Sequence, residues 1–421
     1  MKINTLLLSV MLLLSANLFA QKQFTLQSPD KDITIKVNVG DNLTYSVTHN
    51  GTIVLAESAI AMKLDNGTVL GEKPILKSEK TVENAEKIAA NFYKRNEIDN
   101  HYCQMTLAFK GNYSVVFRAY NDGVAYRFVT NFKKPIIIEN ETADFNFDAD
   151  YTAHIPYVNA RKGDGDFIQQ QFFTSFENLY TITPLSKMES DRLVFLPAMV
   201  ELKDGKKAVI TESDLEDFPG LLLRNETGKT GFSAIHAAYP KTEIQGGHNN
   251  LQYVVTEREK YIAKVQGKRN FPWRCIVISE NDAELADSDM VYKLASPCRV
   301  SDVSWIQPGK VAWDWWNAWN IYNVDFKAGI NNDTYKYYID FASKYGIEYV
   351  ILDEGWAVNL QADLMQVVPE IDLQELVNYG KERNVGIVLW AGYAAIDKDM
   401  ENVCKYYSEM GVKGFKVDFM D

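Results

Sequence analysis

Hydrophobic and polar residues alternate along the larger part of the chain, up to about residue 291. Runs such as 33–39 and 43–47 place an apolar side chain at every second position, which is the period of a strand with one buried face. Asn50 and Gly51 stand between two such runs and form the strongest short signal for a β-hairpin. The pattern predicts a large antiparallel β-sandwich over residues 21–291.

From about residue 292 the pattern changes to short apolar runs that alternate with amphipathic stretches. The runs begin at Val311, Tyr349, Gly386 and Gly414. Between them, 334–345 and 373–383 carry apolar residues three and four positions apart, which indicates helices packed on a sheet, ending at Gly346 and Asn384. Strand and helix alternate as in a parallel α/β domain.

The spacing of these runs is close to the roughly 30 residues of one unit of a (β/α)8 TIM barrel. The sequence therefore predicts that residues 292–421 form about the first four β/α units of such a barrel. Four parallel strands cannot close a barrel, and an open half would expose a sheet edge and apolar surface. We expect the front portion of a longer protein, the alternative being a compact open sheet that is complete at four strands.

The first twenty residues resemble a secretory signal peptide. Lys2 precedes a leucine-rich run, and small residues at Ala16 and Ala20 provide a cleavage position, expected after Ala20. An uncleaved membrane anchor is the alternative, but it needs about 20 apolar residues and this run is shorter. We expect an exported, periplasmic protein without a membrane segment after cleavage.

The four cysteines are scattered along the chain, at Cys103, Cys275, Cys298 and Cys404. The absence of a C-x-x-C pair argues against a zinc site and against a disulfide framework. We expect these residues to be small buried apolar groups.

Charge and aromatic content narrow the class of partner. The formal charge of −12 repels nucleic acid and anionic membrane surfaces. The chain has 8 Trp and 23 Tyr, whose flat faces suit sugar rings, although β-sheet cores also use aromatic residues. A nucleotide-dependent oxidoreductase is disfavoured because neither glycine-rich phosphate-binding motif is present.

Candidate chemistry lies where the apolar runs end, because barrel enzymes place their sites at the carboxyl ends of the strands. The residues there are Asp314, Asp353, Glu354, Trp390 and Asp418. Carboxylates can attack an anomeric carbon, protonate a leaving oxygen or hold sugar hydroxyls, while indole rings pack on sugar C–H faces. Each aspartate could instead cap a following helix.

The segment from Lys416 to Asp418 is the most informative. Strand alternation places both side chains on one face, where the ammonium would keep the carboxylate ionised, as a nucleophile requires. A structural ion pair is the alternative. Asp353 is expected to face a bound sugar and Gly355 to let the backbone turn, unless this segment only starts a helix.

Three segments carry a resemblance to a known family. Residues 305–316, 352–356 and 414–419, which follow a long exported β-sandwich, resemble the motifs of glycoside hydrolase family 97. The resemblance implies an N-terminal β-super-sandwich, a catalytic (β/α)8 barrel and a small C-terminal β domain. This sequence departs from the family by lacking the second half of the barrel and the domain after it.

By the same resemblance the function is that of a retaining exo-α-galactosidase with Asp418 as nucleophile and a covalent glycosyl intermediate. The acid/base glutamate is expected from a later strand. An oligosaccharide or α-galactoside is the expected substrate, and the sequence does not specify the oligomeric state. The expected substrate-binding residues are Asp314, Trp316, Asp353, Glu354, Trp356, Trp390 and Lys416.

The resemblance also implies a calcium ion, with Glu177 as the candidate ligand from the sandwich. A surface glutamate is the alternative for this position. Further candidates for lining the pocket from the sandwich are Arg161, Asp164, Asp166 and His248.

Two other functions stay open. The first is an inverting α-glucosidase of the same family, which would release the opposite anomer and would not depend on Asp418. The second is a truncated carbohydrate-binding protein without catalysis.

Overall fold

The computed structural model describes residues 22–159, 165–173 and 176–420. An antiparallel two-sheet sandwich is followed by a four-stranded parallel sheet with helices. The expected signal peptide, Arg161 and Asp164 lie outside the described residues.

Antiparallel strands occupy the sandwich. They are β1 (Lys22–Gln27), β2 (Ile33–Val39), β3 (Leu43–His49), β4 (Thr52–Leu64), β5 (Val69–Leu70), β6 (Leu76–Ala89), β7 (Glu97–Phe109), β8 (Tyr113–Tyr120), β9 (Gly123–Asn131), β10 (Ile136–Asn146), β11 (Thr152–Ile155), β12 (Thr181–Pro184), β13 (Ala198–Glu201), β14 (Lys207–Ser213), β15 (Leu222–Arg224), β16 (Gly231–Ile235), β17 (Pro240–Gly246), β18 (Gln252–Arg258), β19 (Ala263–Val265), β20 (Lys268–Asn270) and β21 (Trp273–Ser279). The first sheet has the order β1-β2-β3-β4-β10-β16-β15, and β5 and β19 pair beside it. The second has the order β12-β11-β13-β14-β21-β9-β8-β7-β6, with β20 beside β9, and β17 and β18 form a separate hairpin.

The period-two pattern becomes the core of the sandwich. Alternate residues of β2 and β3 are buried, and the two sheets enclose one large apolar cluster. Asn50 and Gly51 have φ values of 48° and 81° and join β3 to β4, as the hairpin signal predicts. The predicted antiparallel sandwich is confirmed.

A buried ionic group ties the two sheets together. Arg274 on β21 donates from Nε to Glu141 Oε1 at 2.9 Å and from Nη2 to Glu141 Oε2 at 2.5 Å, across to β10 of the other sheet. Its Nη1 donates to Glu212 Oε2 on β14 at 2.6 Å. The bidentate geometry satisfies a guanidinium that is only 1% exposed.

The second part of the chain contains the parallel strands β22 (Val311–Trp313), β23 (Tyr349–Leu352), β24 (Gly386–Gly392) and β25 (Gly414–Asp418), in that order across the sheet. The described α-helices are α1 (Phe167–Gln170), α2 (Asp282–Asp287), α3 (Met290–Leu294), α4 (Asn332–Tyr345), α5 (Leu373–Glu382), α6 (Tyr393–Asp397) and α7 (Met400–Met410). Short 3-10 helices span Gln171–Phe173, Leu185–Lys187, Lys203–Gly205, His248–Asn250 and Asp314–Asn317.

The helices α4 and α5 follow the predicted amphipathic stretches. Asn331 caps α4 by accepting from the backbone N–H of Thr334, and Gly346 ends the helix with a φ of 64°. Asn384, just after α5, also has a positive φ of 58°. The alternation of strand and helix is therefore as predicted.

The two faces of the parallel sheet differ. Val350, Leu352 and Leu389 point toward the helices and are buried. Ile351 and Val388, on the opposite face, are only partly buried by the described residues. Strand alternation therefore separates a helix-covered face from the face that carries the candidate chemistry.

The four cysteines are free. Cys275 is buried and Cys103 is partly buried, but Cys298 and Cys404 are exposed. The expectation of burial is wrong for Cys298 and Cys404, because Cys298 lies in the segment between α3 and β22 and Cys404 on the outer side of α7.

Among the described residues, we find no helix with the length and apolar character needed to cross a bilayer.

Candidate active site

Asp418 is the last residue of β25 and its carboxylate is oriented by three groups. Oδ1 accepts a hydrogen bond from the backbone N–H of Phe419 at 2.9 Å. Oδ2 lies 3.4 Å from Lys416 Nζ and 3.4 Å from the indole Nε1 of Trp390. Since the side chain is still 45% exposed, Asp418 is fixed on one side and accessible on the other.

Lys416 connects two strand ends. Its Nζ lies 3.0 Å from Asp353 Oδ2, closer than to Asp418, and 4.3 Å from the centre of the Trp313 ring. The predicted proximity of Lys416 and Asp418 is confirmed. The shorter contact with Asp353 was not predicted, because β24 lies between their strands.

Asp353 is nearly enclosed by protein donors. Oδ2 accepts from the indole N–H of Trp313 at 2.5 Å as well as from Lys416, and Oδ1 accepts from the backbone N–H of Glu354 at 2.8 Å. The side chain is 6% exposed. Asp353 therefore orients Lys416, and its predicted contact with a sugar stays a prediction. Gly355 has a φ of 116°, which confirms its predicted turn.

Asp314 and Trp356 belong to the core, which corrects their predicted contact with substrate. Asp314 is fully buried, and its Oδ2 accepts from the hydroxyl of Tyr335 at 2.7 Å and from the indole N–H of Trp319 at 3.0 Å. Burial raises the pKa of Asp314 to about 6. Trp356 is also buried, and its indole N–H donates to the carbonyl of Trp390 at 2.8 Å.

Tryptophans lie on the open side of the sheet. Trp316 is 80% exposed, and its ring centre lies 6.0 Å from that of Trp313. Trp315 stacks on Trp313 at 5.5 Å. Trp390 is buried, so it contributes its N–H to Asp418 but offers no free ring face. Trp315 and Trp316 are thus the rings available to a sugar.

The hairpin β17–β18, which we call the sandwich arm (residues 240–258), reaches the carboxyl ends of the parallel strands. Glu354 Oε2 lies 2.8 Å from His248 Nε2, and Glu354 Oε1 accepts from Asn249 Nδ2 at 2.5 Å. The carbonyl of Leu251 accepts from the backbone N–H of Ala394 at 2.9 Å. Both oxygens of Glu354 therefore contact the arm. The sequence predicted His248 as a residue that lines the pocket, but it did not predict the contact with Glu354.

The family follows from comparison with known proteins. The N-terminal model of glycosyl hydrolase 97 matches residues 26–297, and the model of glycoside hydrolase 97 matches residues 315–421. The chain belongs to glycoside hydrolase family 97. The resemblance carried by the three sequence motifs is confirmed.

Two relatives of similar sequence are longer than this chain. A retaining alpha-galactosidase from Bacteroides thetaiotaomicron is 58% identical over 100% of this chain and 63% of its own length. A probable retaining alpha-galactosidase from Streptomyces bingchenggensis is 27% identical over 90% of this chain and 54% of its own length. The chain thus spans less than two thirds of both relatives.

Solved structures share the fold. A family 97 enzyme from Pseudoalteromonas sp. strain K8, solved in complex with acarbose, matches with a TM-score of 0.77 and 24% identity over 94% of this chain and 59% of its own. A beta-arabinopyranosidase matches with a TM-score of 0.72 and 19% identity over 94% of this chain and 62% of its own. At these identities the likeness concerns the fold alone.

The described residues of this family 97 chain do not by themselves form a calcium site. Glu177 is exposed, and within residues 22–159, 165–173 and 176–420 no three His, Cys, Asp or Glu side chains are arranged to hold a metal ion. Asp166, which was predicted only to line the pocket, caps α1 by accepting from the backbone N–H of Ile168 at 2.9 Å. Calcium stays a prediction from the family, and no catalytic step is assigned to it.

Three residues of this family 97 site were missed by the sequence reasoning. Trp313 was noted only as part of a motif, and Asn249 and Phe419 were not singled out. The two glycines before His248 indicate a turn, but nothing local indicates that this turn meets Glu354 more than 100 positions away. Phe419 could have been considered because it directly follows a candidate nucleophile.

Proposed function

We propose that this chain carries the nucleophile of a retaining exo-α-galactosidase that removes terminal α-linked galactose from oligosaccharides. The observation that carries the proposal is the half-exposed carboxylate of Asp418 at the carboxyl end of β25, facing Lys416 at 3.4 Å. The name of the 58% identical relative supports the reaction class and the stereochemistry.

The chemistry follows from this position. One Asp418 oxygen attacks the anomeric carbon, the bond from that carbon to the leaving oxygen breaks, and a proton donor protonates that oxygen. The deprotonated donor then takes a proton from a water molecule, whose oxygen attacks the same carbon and displaces the Asp418 carboxylate, so that two inversions give retention. Asp314, Asp353 and Glu354 are held by protein donors, so we assign the proton donor to the rest of a longer protein.

Lys416 supports the nucleophile without blocking it. Its positive charge stabilises the negative charge on Asp418, but its shorter contact is with Asp353 at 3.0 Å. Lys416 shares its ammonium group between Asp353 and Asp418, so its ion pair with Asp418 is loose. An oxygen of Asp418 therefore keeps a lone pair for attack. When the glycosyl ester forms and Asp418 loses its charge, Lys416 still has Asp353 as a partner.

The surroundings of the site complete the proposal. Trp315 and Trp316 would offer ring faces to the sugar. We take the parallel sheet to be the first half of a (β/α)8 barrel whose inner face carries Ile351, Val388 and Lys416. We further infer export to the periplasm from the N-terminal twenty residues.

The test replaces Asp418 in the protein that contains this chain and its complete barrel, with an aryl α-galactoside as substrate. Asp418→Asn is expected to lower kcat by about 1000-fold or more, because covalent catalysis is lost. Asp418→Gly with added azide should form β-galactosyl azide, since azide enters from the face that the nucleophile used. The matched control is Asp340→Asn on the outside of α4, where the carboxylate pairs with Arg383 at the surface and activity should be unchanged.

The same assays distinguish the retaining α-galactosidase from an inverting α-glucosidase and from a carbohydrate-binding protein. Proton NMR of the first product should show α-galactose. Release of the inverted anomer from an aryl α-glucoside, with indifference to Asp418→Asn, would establish an inverting α-glucosidase instead. Sugar binding with no turnover of either substrate would leave a carbohydrate-binding protein.

A further inference from the structure

Phe419 has an unusual backbone conformation directly after the proposed nucleophile. Its φ is +56°, in the left-handed region that non-glycine residues rarely occupy. In this conformation its N–H donates to Asp418 Oδ1 at 2.9 Å. The orientation of the Asp418 carboxylate therefore depends on a conformation that surrounding contacts must hold.

Two rings hold Phe419. The imidazole of His248 stacks on it face to face, with ring centres 4.4 Å apart and an angle of 18° between the planes. Trp390 meets it edge to face at 6.0 Å and 72°. His248 comes from the sandwich arm and Trp390 from β24, so Phe419 lies between the two parts of the chain.

His248 is itself fixed. Glu354 Oε2 lies 2.8 Å from its Nε2. The tip of the arm is a tight turn in which Gly247 and Asn249 have φ values of 66° and 48°. A Cβ on Gly247 would lie 1.9 Å from Gln252 Oε1, so this turn requires glycine. The imidazole is thus presented by a backbone with little freedom.

We propose that His248 is a positioning residue for the nucleophile, acting through Phe419. Glu354 fixes the imidazole, the imidazole holds the ring of Phe419, and the backbone N–H of Phe419 aims the carboxylate of Asp418. This inference rests on the proposed function of Asp418 and extends it to the sandwich domain. His248 itself needs no contact with the sugar.

The alternative is that His248 only holds the two domains together. A matched control is available in Tyr253, which contacts Tyr393 of α6 from the same arm, edge to face at 5.8 Å. Removing the Tyr253 ring weakens the docking of the arm without touching Phe419. A purely structural role for His248 predicts that His248→Ala and Tyr253→Ala behave alike.

The experiment uses the complete protein and an activated 2-fluoro-galactoside, which traps the glycosyl enzyme. The rate constant for trapping, the inhibition constant of galactose and the thermal midpoint are measured for each variant. His248→Ala is expected to slow trapping by about 10- to 100-fold, because a misplaced reacting group loses orientation, while galactose inhibition changes little. His248→Phe keeps a ring that can stack and should recover part of the rate, whereas Tyr253→Ala should lower only the thermal midpoint.

If His248→Ala does not fold, Phe419→Gly tests the same inference, because it removes the ring on which His248 stacks. Glycine accepts a positive φ but provides no ring, so trapping should slow and the further change His248→Phe should have little added effect. Equal trapping rates in His248→Ala and Tyr253→Ala, or parallel losses of trapping and galactose inhibition, would overturn the inference. Azide rescue of Asp418→Gly tests the nucleophile independently of His248. Failure of this rescue would reject Asp418 as the nucleophile, whereas successful rescue with equal trapping rates would reject only the role of His248.

Discussion

Asp314 is a single carboxyl group that the fold removes from water. Burial raises its pKa from the ordinary 3.8 to about 6, although Tyr335 and the backbone N–H groups of Asp353 and Trp315 donate to it. The folded state therefore binds a proton that the unfolded state has already released between pH 4 and 6. Over this window the stability of the parallel sheet should fall as pH rises, by at most about 3 kcal/mol.

Asp314→Asn removes this titration. We expect the pH dependence between pH 4 and 6 to flatten by about 1 to 3 kcal/mol, measured by urea unfolding followed through tryptophan fluorescence. Asp340→Asn, at the surface of α4, serves as the control and should keep the slope of the parent protein. An unchanged slope in Asp314→Asn would mean that folding does not raise the pKa of Asp314.

Lys416, Asp418 and Asp314 show how far the position of a single side chain can be predicted from sequence. Alternation predicted that Lys416 and Asp418 share a face, because both lie within the regular strand β25. It failed for Asp314, because β22 ends at Trp313 and a 3-10 helix begins with Asp314, which turns that side chain inward. A strand-end assignment made from sequence is thus reliable only while the strand continues.

Among the elements, the sandwich arm depends on a close approach to β24. Gly392 ends that strand, and a Cβ there would lie 2.5 Å from the Cβ of Leu251. Gly392→Ala should therefore displace the arm and lower the unfolding free energy by about 1 to 3 kcal/mol, measured by thermal unfolding.

The control for this prediction is Gly414→Ala at the start of β25, where a Cβ meets nothing within 4 Å in the described chain. Adding Leu251→Gly to Gly392→Ala removes the Cβ that causes the 2.5 Å clash, so the loss from the double change should be smaller than the sum of the two single losses. Additive losses would show that the arm does not press on Gly392.

The individual strands and helices were easier to predict than the contacts between them. The hairpin at Asn50 and the helix end at Gly346 follow from local rules for positive φ, which short sequence signals carry. The contact between His248 and Glu354 joins elements far apart in sequence, and no periodicity records it. Most of the contacts that orient Asp418 likewise join elements that are far apart in sequence.

For the whole molecule, the pairing of the two sandwich sheets combines apolar packing with one buried ionic group. Burial opposes the charge of Glu141, but the charge and hydrogen bonds of Arg274 outweigh it and lower the pKa of Glu141. The composition could not predict this group, since a charged residue within an alternating strand normally indicates the solvent face. The large apolar cluster around it, by contrast, follows directly from the alternation.

Glu141→Gln tests how much the two sheets depend on this group. The substitution leaves the buried guanidinium of Arg274 without its bidentate partner, so we expect a loss of about 3 to 5 kcal/mol in the unfolding free energy of the sandwich. The measurement is urea unfolding followed by far-ultraviolet circular dichroism. Glu139→Gln, on the same strand, breaks only the more exposed pair with Lys63 and should cost less than about 1 kcal/mol. Equal losses in the two variants would mean that the apolar core alone holds the sheets together.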